Sequence, residues 1–138
     1  MKRLTREWVL KAEKDWALAK MVAEAPPKRR EVFHDQTCFL CQQAAEKYLK
    51  ALMQELDLSV PRTHDLDALL DRLVPDDRAL ATLRRATMVL SPYAVEYRYP
   101  GIDATKRKAR AALRHAEKVR AAVRDRLGLP TTVDPSGP

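Results

Sequence analysis

Residues 37 to 56, TCFLCQQAAEKYLKALMQEL, constrain the fold more than any other stretch of the chain. At about 100° per residue, Cys38, Cys41, Ala45, Leu49, Leu52 and Leu56 fall on one stripe of a helix, with Tyr48 on its flank. Leu40, Ala44 and Ala51 add a second apolar edge. A helix apolar over most of its circumference is surrounded by other helices, so this one is predicted to be central. What remains is a polar strip, Gln43, Glu46 and Lys50, at i, i+3 and i+7. An amide, a carboxylate and an ammonium in such a seam must satisfy one another or a ligand. Were the strip on the surface, Glu46 and Lys50 would form an ordinary pair worth about 0.2–0.5 kcal/mol.

The rest of the chain supplies the neighbours. Thr5 is a candidate cap for a first helix carrying Trp8, Ala12, Trp16, Ala19 and Ala23 on one face, which Pro26-Pro27 ends. Asp35 is the expected cap of the central helix, which reaches about Asp57. A short helix from about Thr63 stops at Pro75, and Asp76 or Asp77 opens a further one with Leu80, Leu83, Thr87 and Leu90 on one side. A last helix runs from about Asp103 to Leu127. With only three glycines and no long β-branched run, strands have little to work with. The expected architecture is all-α: a four-helix up-and-down bundle with an additional short helix over residues 1–128, then a flexible Pro-rich tail over 129–138. The 138 residues and 46% apolar content suit one domain with a real core.

No apolar stretch approaches the roughly 20 residues of a membrane span, and MKRLTREWVLKAEKD lacks the core of a secretion signal. A cytoplasmic protein that does not engage membranes is expected. Lysine and arginine exceed aspartate and glutamate by 26 to 19, a net charge of +7, which favours polyanions without selecting one. Cys38 and Cys41 have the spacing of a redox or zinc pair. Both face the predicted core, however, and no second pair completes a zinc site, so they are expected to pack as small hydrophobes. His34, His64 and His115 occur singly. There is no phosphate-cradling glycine loop or nucleophile elbow, and no metal or cofactor is expected. His64, before Asp65 and Leu66, fits a cap or loop role.

Two features converge on the candidate strip. Asp15 lies at the margin of the first helix's apolar face, between the tryptophans, as a counter-ion or an edge residue. The break PYAVEYRYPG gathers Tyr93, Tyr97 and Tyr99 around Arg98, the composition of a surface that stacks on bases and grips phosphate, or of a stiff aromatic-packed connection.

Taken in order, CFLCQQAAEKYLKALM, THDLDALL and YAVEYRYPG before an alanine-rich helix resemble the HEPN family, the higher-eukaryote and prokaryote nucleotide-binding domain, over about residues 4 to 127. Phe39, Gln43, Ala44, Glu46, Lys50 and Ala51, then His64-Asp65-Leu66, then Arg98-Tyr99-Pro100 carry the likeness. The resemblance implies a small homodimeric protein encoded beside a minimal nucleotidyltransferase, in some cases as toxin or antitoxin. The residues themselves lead to the expectation of a groove for nucleotide or RNA phosphate, with Asp15, Gln43, Glu46, Lys50, Tyr97, Arg98 and Tyr99 as the ligand-binding candidates; the alternatives are a ribonuclease and a purely structural dimeric interaction protein whose polar strip only fixes helix register.

Other members of that family are metal-independent ribonucleases using Arg-x(4 to 6)-His near the start of the last helix. Here Arg98 has no histidine in reach. Arg110 and His115 match the letters, but residues five apart on a regular helix point about 140° apart. They converge only in a distorted helix or across a dimer, and Ala111 replaces the usual polar residue. The last helix otherwise has a clear division. Ala109, Ala112, Leu113, Ala116, Val119, Val123 and Leu127 form its buried stripe, and Arg107, Arg110, Arg114 and Lys118 line the opposite face. Arg120 falls on the apolar side and needs a buried carboxylate or a dimer contact.

Overall fold

The computed structural model describes residues 1–24 and 32–131, and among them every regular element is helical. Five α-helices follow in order: α1 (Arg3–Ala23), α2 (His34–Glu55), α3 (Leu66–Leu73), α4 (Arg84–Leu90) and α5 (Lys106–Arg126). Short 3-10 turns at Arg78–Leu83 and Ser91–Ala94 flank α4. Cross-helix bonds give the topology. Lys2 N meets Glu55 and Tyr48 Oη meets Glu13, so α1 and α2 are antiparallel. Asp35 meets Ala104 and Tyr48 meets Arg124, so α5 runs parallel to α2. Lys118 reaches back to Thr82, setting α5 against the α4 region. This is the up-and-down order, with α3 as the additional short helix.

α2 is the axis. Thirteen of its 22 residues are buried, too many for one face, as its composition predicts. Cys38, Cys41, Ala45 and Leu49 are fully buried, with Leu69, Leu70, Leu80, Leu83 and Leu90 closing the core. No helix among the described residues is long and apolar enough to cross a membrane.

Several local expectations are corrected. Thr5 does not cap α1: Lys2 holds that position, and Thr5 is buried with its Oγ1 donating to Glu55 Oε1 at 2.9 Å. Asp35 does not cap α2; it lies in the first turn and its Oδ1 accepts from Ala104 N at 2.6 Å, tying the start of α5 to α2. α3 begins at Leu66, capped by Asp65 rather than opening at Thr63. The helix expected after Asp77 divides, because Leu80, Leu83 and Ala86 recur every three residues and the first turns adopt the tighter 3-10 form. α5 starts at Lys106 with Thr105 as its cap. Pro26-Pro27 lies outside the described residues.

The chain beyond α5 turns at Gly128 (φ +72°), a conformation suited to glycine. It then folds back: Leu129 packs on the core, and the carbonyls of Pro130 and Thr131 accept from Arg124 and Arg120. The expected free tail therefore does not start at residue 129, and residues 132–138 lie outside the described part.

Candidate functional site

The polar strip of α2 is closed on itself. Glu46 and Lys50 are 4% and 5% exposed, and Lys50 Nζ lies 3.0 Å from Glu46 Oε2. The other carboxylate oxygen, Oε1, contacts His64 Nδ1 at 2.8 Å and Gln42 Nε2 at 3.2 Å. Gln42 Nε2 also donates to the carbonyl of His64 at 3.1 Å, and Gln43 Nε2 donates to Gln42 Oε1 at 2.7 Å. Trp8 covers the ammonium, its ring centre 5.7 Å from Nζ. Every buried polar atom of the strip thus has a protein partner, and the cluster fastens α1, α2 and the loop before α3. Gln42, fully buried, is the member that the sequence pattern passed over, although it stands four residues before Glu46. His64 joins from 18 residues away in sequence.

Asp15 does not join this cluster. It pairs with Lys47 at 2.5 Å on the half-exposed seam between α1 and α2.

A second closed network explains Arg120, which is 3% exposed on the apolar side of α5. Its guanidinium meets Glu13 at 2.7 and 2.9 Å, Glu117 at 3.3 Å and the carbonyl of Thr131 at 2.8 Å. Tyr48 Oη donates to Glu13, and Arg124 lies 3.7 Å from the same carboxylate. The partner carboxylate is therefore Glu13, within one chain, although it is nearly a third exposed rather than buried. Burial pushes the Glu13 pKa up, but hydrogen bonds from Arg120 and Tyr48 and the two guanidinium charges outweigh it, leaving the pKa below the ordinary 4.5. Tyr48 is pushed up to about 12 by burial and by its bond to that carboxylate.

The open site is elsewhere. Asp35, Gln36 and Phe39 from the first turns of α2, Tyr93 from the 3-10 turn after α4, and Tyr97 and Arg98 beyond it line a pocket of about 350 Å³. Tyr93 and Tyr97 pack with ring centres 5.5 Å apart, tilted by 31°. The Tyr97 hydroxyl is buried without a hydrogen-bond partner among the described residues. Burial raises its pKa, and the Lys108 side chain, which approaches the hydroxyl as a donor outside full hydrogen-bond geometry, partly offsets that rise. Arg98 is exposed, and among the described residues its side chain has no ion pair or hydrogen bond. Tyr99 is 74% exposed next to it. Of the ligand-binding candidates, Tyr97 and Arg98 line open space, whereas Gln43, Glu46 and Lys50 are bonded inward.

Arg110 and His115 stay apart. α5 is continuous from Lys106 to Arg126; Arg110 is exposed, and His115 is half-buried towards α4. Burial lowers the His115 pKa, and the charges of Arg85, Arg114 and Lys118 lower it further. The arginine and histidine therefore do not form a pair within this chain. Cys38 and Cys41 are free thiols in the core; burial pushes Cys38 up to about 12 and Cys41 higher still. Such thiols are not ionised at neutral pH and have little reactivity.

Known structures share the arrangement. TT1696 from Thermus thermophilus superimposes with a TM-score of 0.76 at 28% identity, covering 91% of this chain and 98% of that one. ST0689, an archaeal HEPN homologue, shares the fold with a TM-score of 0.70 at 24% identity, over 92% of this chain and 99% of that one. No curated protein matches the sequence. The family model for the HEPN domain matches residues 5–126, nearly the whole bundle, and this chain belongs to the HEPN family.

Proposed function

We propose that the chain is a non-catalytic HEPN binding module that takes a nucleotide or RNA phosphate in the Tyr97–Arg98 pocket. The observation that carries this is the coincidence of an unpaired guanidinium and three aromatic rings at one opening, with a buried tyrosine hydroxyl that only Lys108 approaches as a donor. Phe39, Tyr93 and Tyr97 offer apolar surface to a base, and the Arg98 guanidinium suits phosphate oxygens. Asp35 and Gln36 supply an acceptor and an amide for a base edge. The separation of Arg110 from His115 supports binding over cleavage, because a histidine that activates a ribose hydroxyl must face the same phosphate as the arginine.

In this proposal the protein works as a homodimeric partner of a minimal nucleotidyltransferase, as small members of the family do, in a toxin–antitoxin-like pair. Copurification with a nucleotidyltransferase encoded beside it supports that pairing. Calorimetric titration with a nucleoside triphosphate tests the pocket. Arg98→Ala is expected to weaken binding by about 1.5–3 kcal/mol, the range for a hydrogen bond to a charged group. Unchanged affinity in Arg98→Ala contradicts the proposal. Metal-free RNA degradation that disappears in His115→Ala replaces it with the ribonuclease alternative.

A further inference from the structure

One face of α1 lacks the polar cover of a solvent-facing helix. Opposite the buried side, Leu10 and Met21 are 62% and 67% exposed, and the small, exposed Ala17 lies between them. With Lys14 these residues follow one another at steps of four, three and four, so they form a single ridge along the helix. Scattered exposed leucines are ordinary on a protein surface; an apolar ridge at helical spacing marks a contact face. Where the ridge starts, Met1, Arg6, Val9 and Leu10 line a hollow of about 440 Å³ together with Leu129, from the segment that folds back after α5. Its side chains are apolar apart from Arg6. The hollow lies at the opposite end of the bundle from Tyr97 and Arg98: the Lys2–Glu55 bond ties the start of α1 to the end of α2, whereas the pocket holds the first turns of α2.

Charge narrows what can cover this face. Arg6 and Lys14 are exposed, and among the described residues their side chains have no ion pair. The acids nearby are engaged or distant: Glu13 is taken by Arg120, Glu7 pairs with Arg3, and Glu24 lies past the end of the ridge. A second copy using the same face would set these cations against themselves. A lipid surface needs an uninterrupted apolar stripe, and Lys14 sits in the middle of this one. A nucleic acid would use the cations and leave Leu10 and Met21 without a partner. The ridge and the free cations together fit another helix, laid ridge into groove, with apolar residues on its inner edge and acids on its flanks.

We infer that the Leu10–Met21 face of α1 docks an amphipathic helix of a partner protein, with one large apolar side chain of that helix in the hollow beside Leu129 and its acidic flank against Arg6 and Lys14. The surface is separate from the Tyr97–Arg98 pocket and does not depend on what that pocket holds. From Arg6 to Met21 the helix rises about 22 Å at 1.5 Å per residue, so the partner contributes about 15 residues. A contact of one helix against one helix stays under the roughly 800 Å² per partner of a standard stable interface, which makes it a reversible association.

The test uses two labelled helical peptides of about 18 residues that share one leucine stripe, the first flanked by glutamates and the second by lysines, titrated with the full chain by fluorescence anisotropy. The proteins are the wild type, the double variant Leu10→Ser, Met21→Ser and the double variant Arg6→Glu, Lys14→Glu. All four residues are exposed, so both variants are expected to melt close to the wild type. The acidic peptide should bind the wild type about tenfold or more tightly than the basic one. The serine variant should lose about tenfold or more of that affinity, the range for truncated anchor residues. The charge-reversed variant should invert the preference and favour the basic peptide. Equal affinity for the two peptides, an acidic-peptide affinity unmoved by the serine changes, or no binding of either peptide at millimolar concentration overturns the inference. So does either of two other occupants. A dimer in sedimentation equilibrium that dissociates in the serine variant assigns the face to a second copy, and binding to phosphatidylserine vesicles that is lost in the same variant assigns it to a membrane.

Discussion

The two ends of α2 treat polar groups in opposite ways. Around its C-terminal half, Glu46 and Lys50 are bonded with Gln42 one turn earlier and with His64 from the loop before α3, and Tyr48 belongs to the Glu13–Arg120 network. At its N-terminal half, Tyr97 and Arg98 stand against Phe39, with the Arg98 guanidinium unpaired and the Tyr97 hydroxyl outside full hydrogen-bond geometry. Both regions are rich in charged and aromatic residues, so composition does not separate them. Satisfaction does: a buried ion pair with all its partners present fixes helix positions, and an unpaired group at an opening is left for a ligand.

The largest effect should come from breaking the closed cluster. Lys50→Ala leaves Glu46 as a buried carboxylate without its ammonium, and a loss of about 3–5 kcal/mol in denaturant unfolding is expected. A loss below about 1 kcal/mol would show that the strip is wetter than its burial indicates, and would bring it back as a binding groove.

Arg120→Ala should cost about 2–3 kcal/mol, less than Lys50→Ala because Glu13 is nearly a third exposed and water screens part of the charge left behind. The same network sets an acid dependence. Glu13 has a folded-state pKa below 4.5, so its contribution to stability is present above that pH and is lost as pH falls through the lowered value. Unfolding curves from pH 6 down to pH 3 should therefore fall less steeply in Arg120→Ala than in the wild type. Parallel curves would remove Glu13 from the account.

The smallest effect has the opposite sign. An unsatisfied buried hydroxyl is unfavourable by about 1–3 kcal/mol, so Tyr97→Phe should stabilise the free protein by about 1 kcal/mol while weakening ligand binding. Stability and affinity that fall together in this variant would mean that Tyr97 is an ordinary packing residue.

The fold was largely legible in the sequence because α1, α2 and α5 are long, α1 and α5 each keep one apolar stripe and α2 is apolar on most sides; Arg120 was legible too, as a charge on the wrong side of such a stripe. The site was less so. Helical phase alone places Gln42 and Gln43 both near Glu46, and only packing shows that Gln42 is the buried one. His64 and Asp35 take partners 18 and 69 residues away, which no local pattern encodes. Thr5 has the chemistry of a cap, but the acceptor that claims its hydroxyl, Glu55, lies at the far end of the next helix. Tyr97 and Arg98 stood out by composition, yet only the fold separates them from the Glu46–Lys50 strip as the open site.

The most direct test of that separation is a nuclear magnetic resonance titration of the isotope-labelled protein with a nucleoside triphosphate, following backbone amides along α2 and the Tyr93–Tyr99 segment. Shifts are expected to concentrate at Asp35, Gln36, Phe39, Tyr93, Tyr97 and Arg98, with Glu46, Lys50 and His64 nearly still. Shifts centred on Glu46, Lys50 and His64, or on Arg110 and His115, with the Tyr97–Arg98 pocket unmoved, would contradict the separation of closed strip from open site.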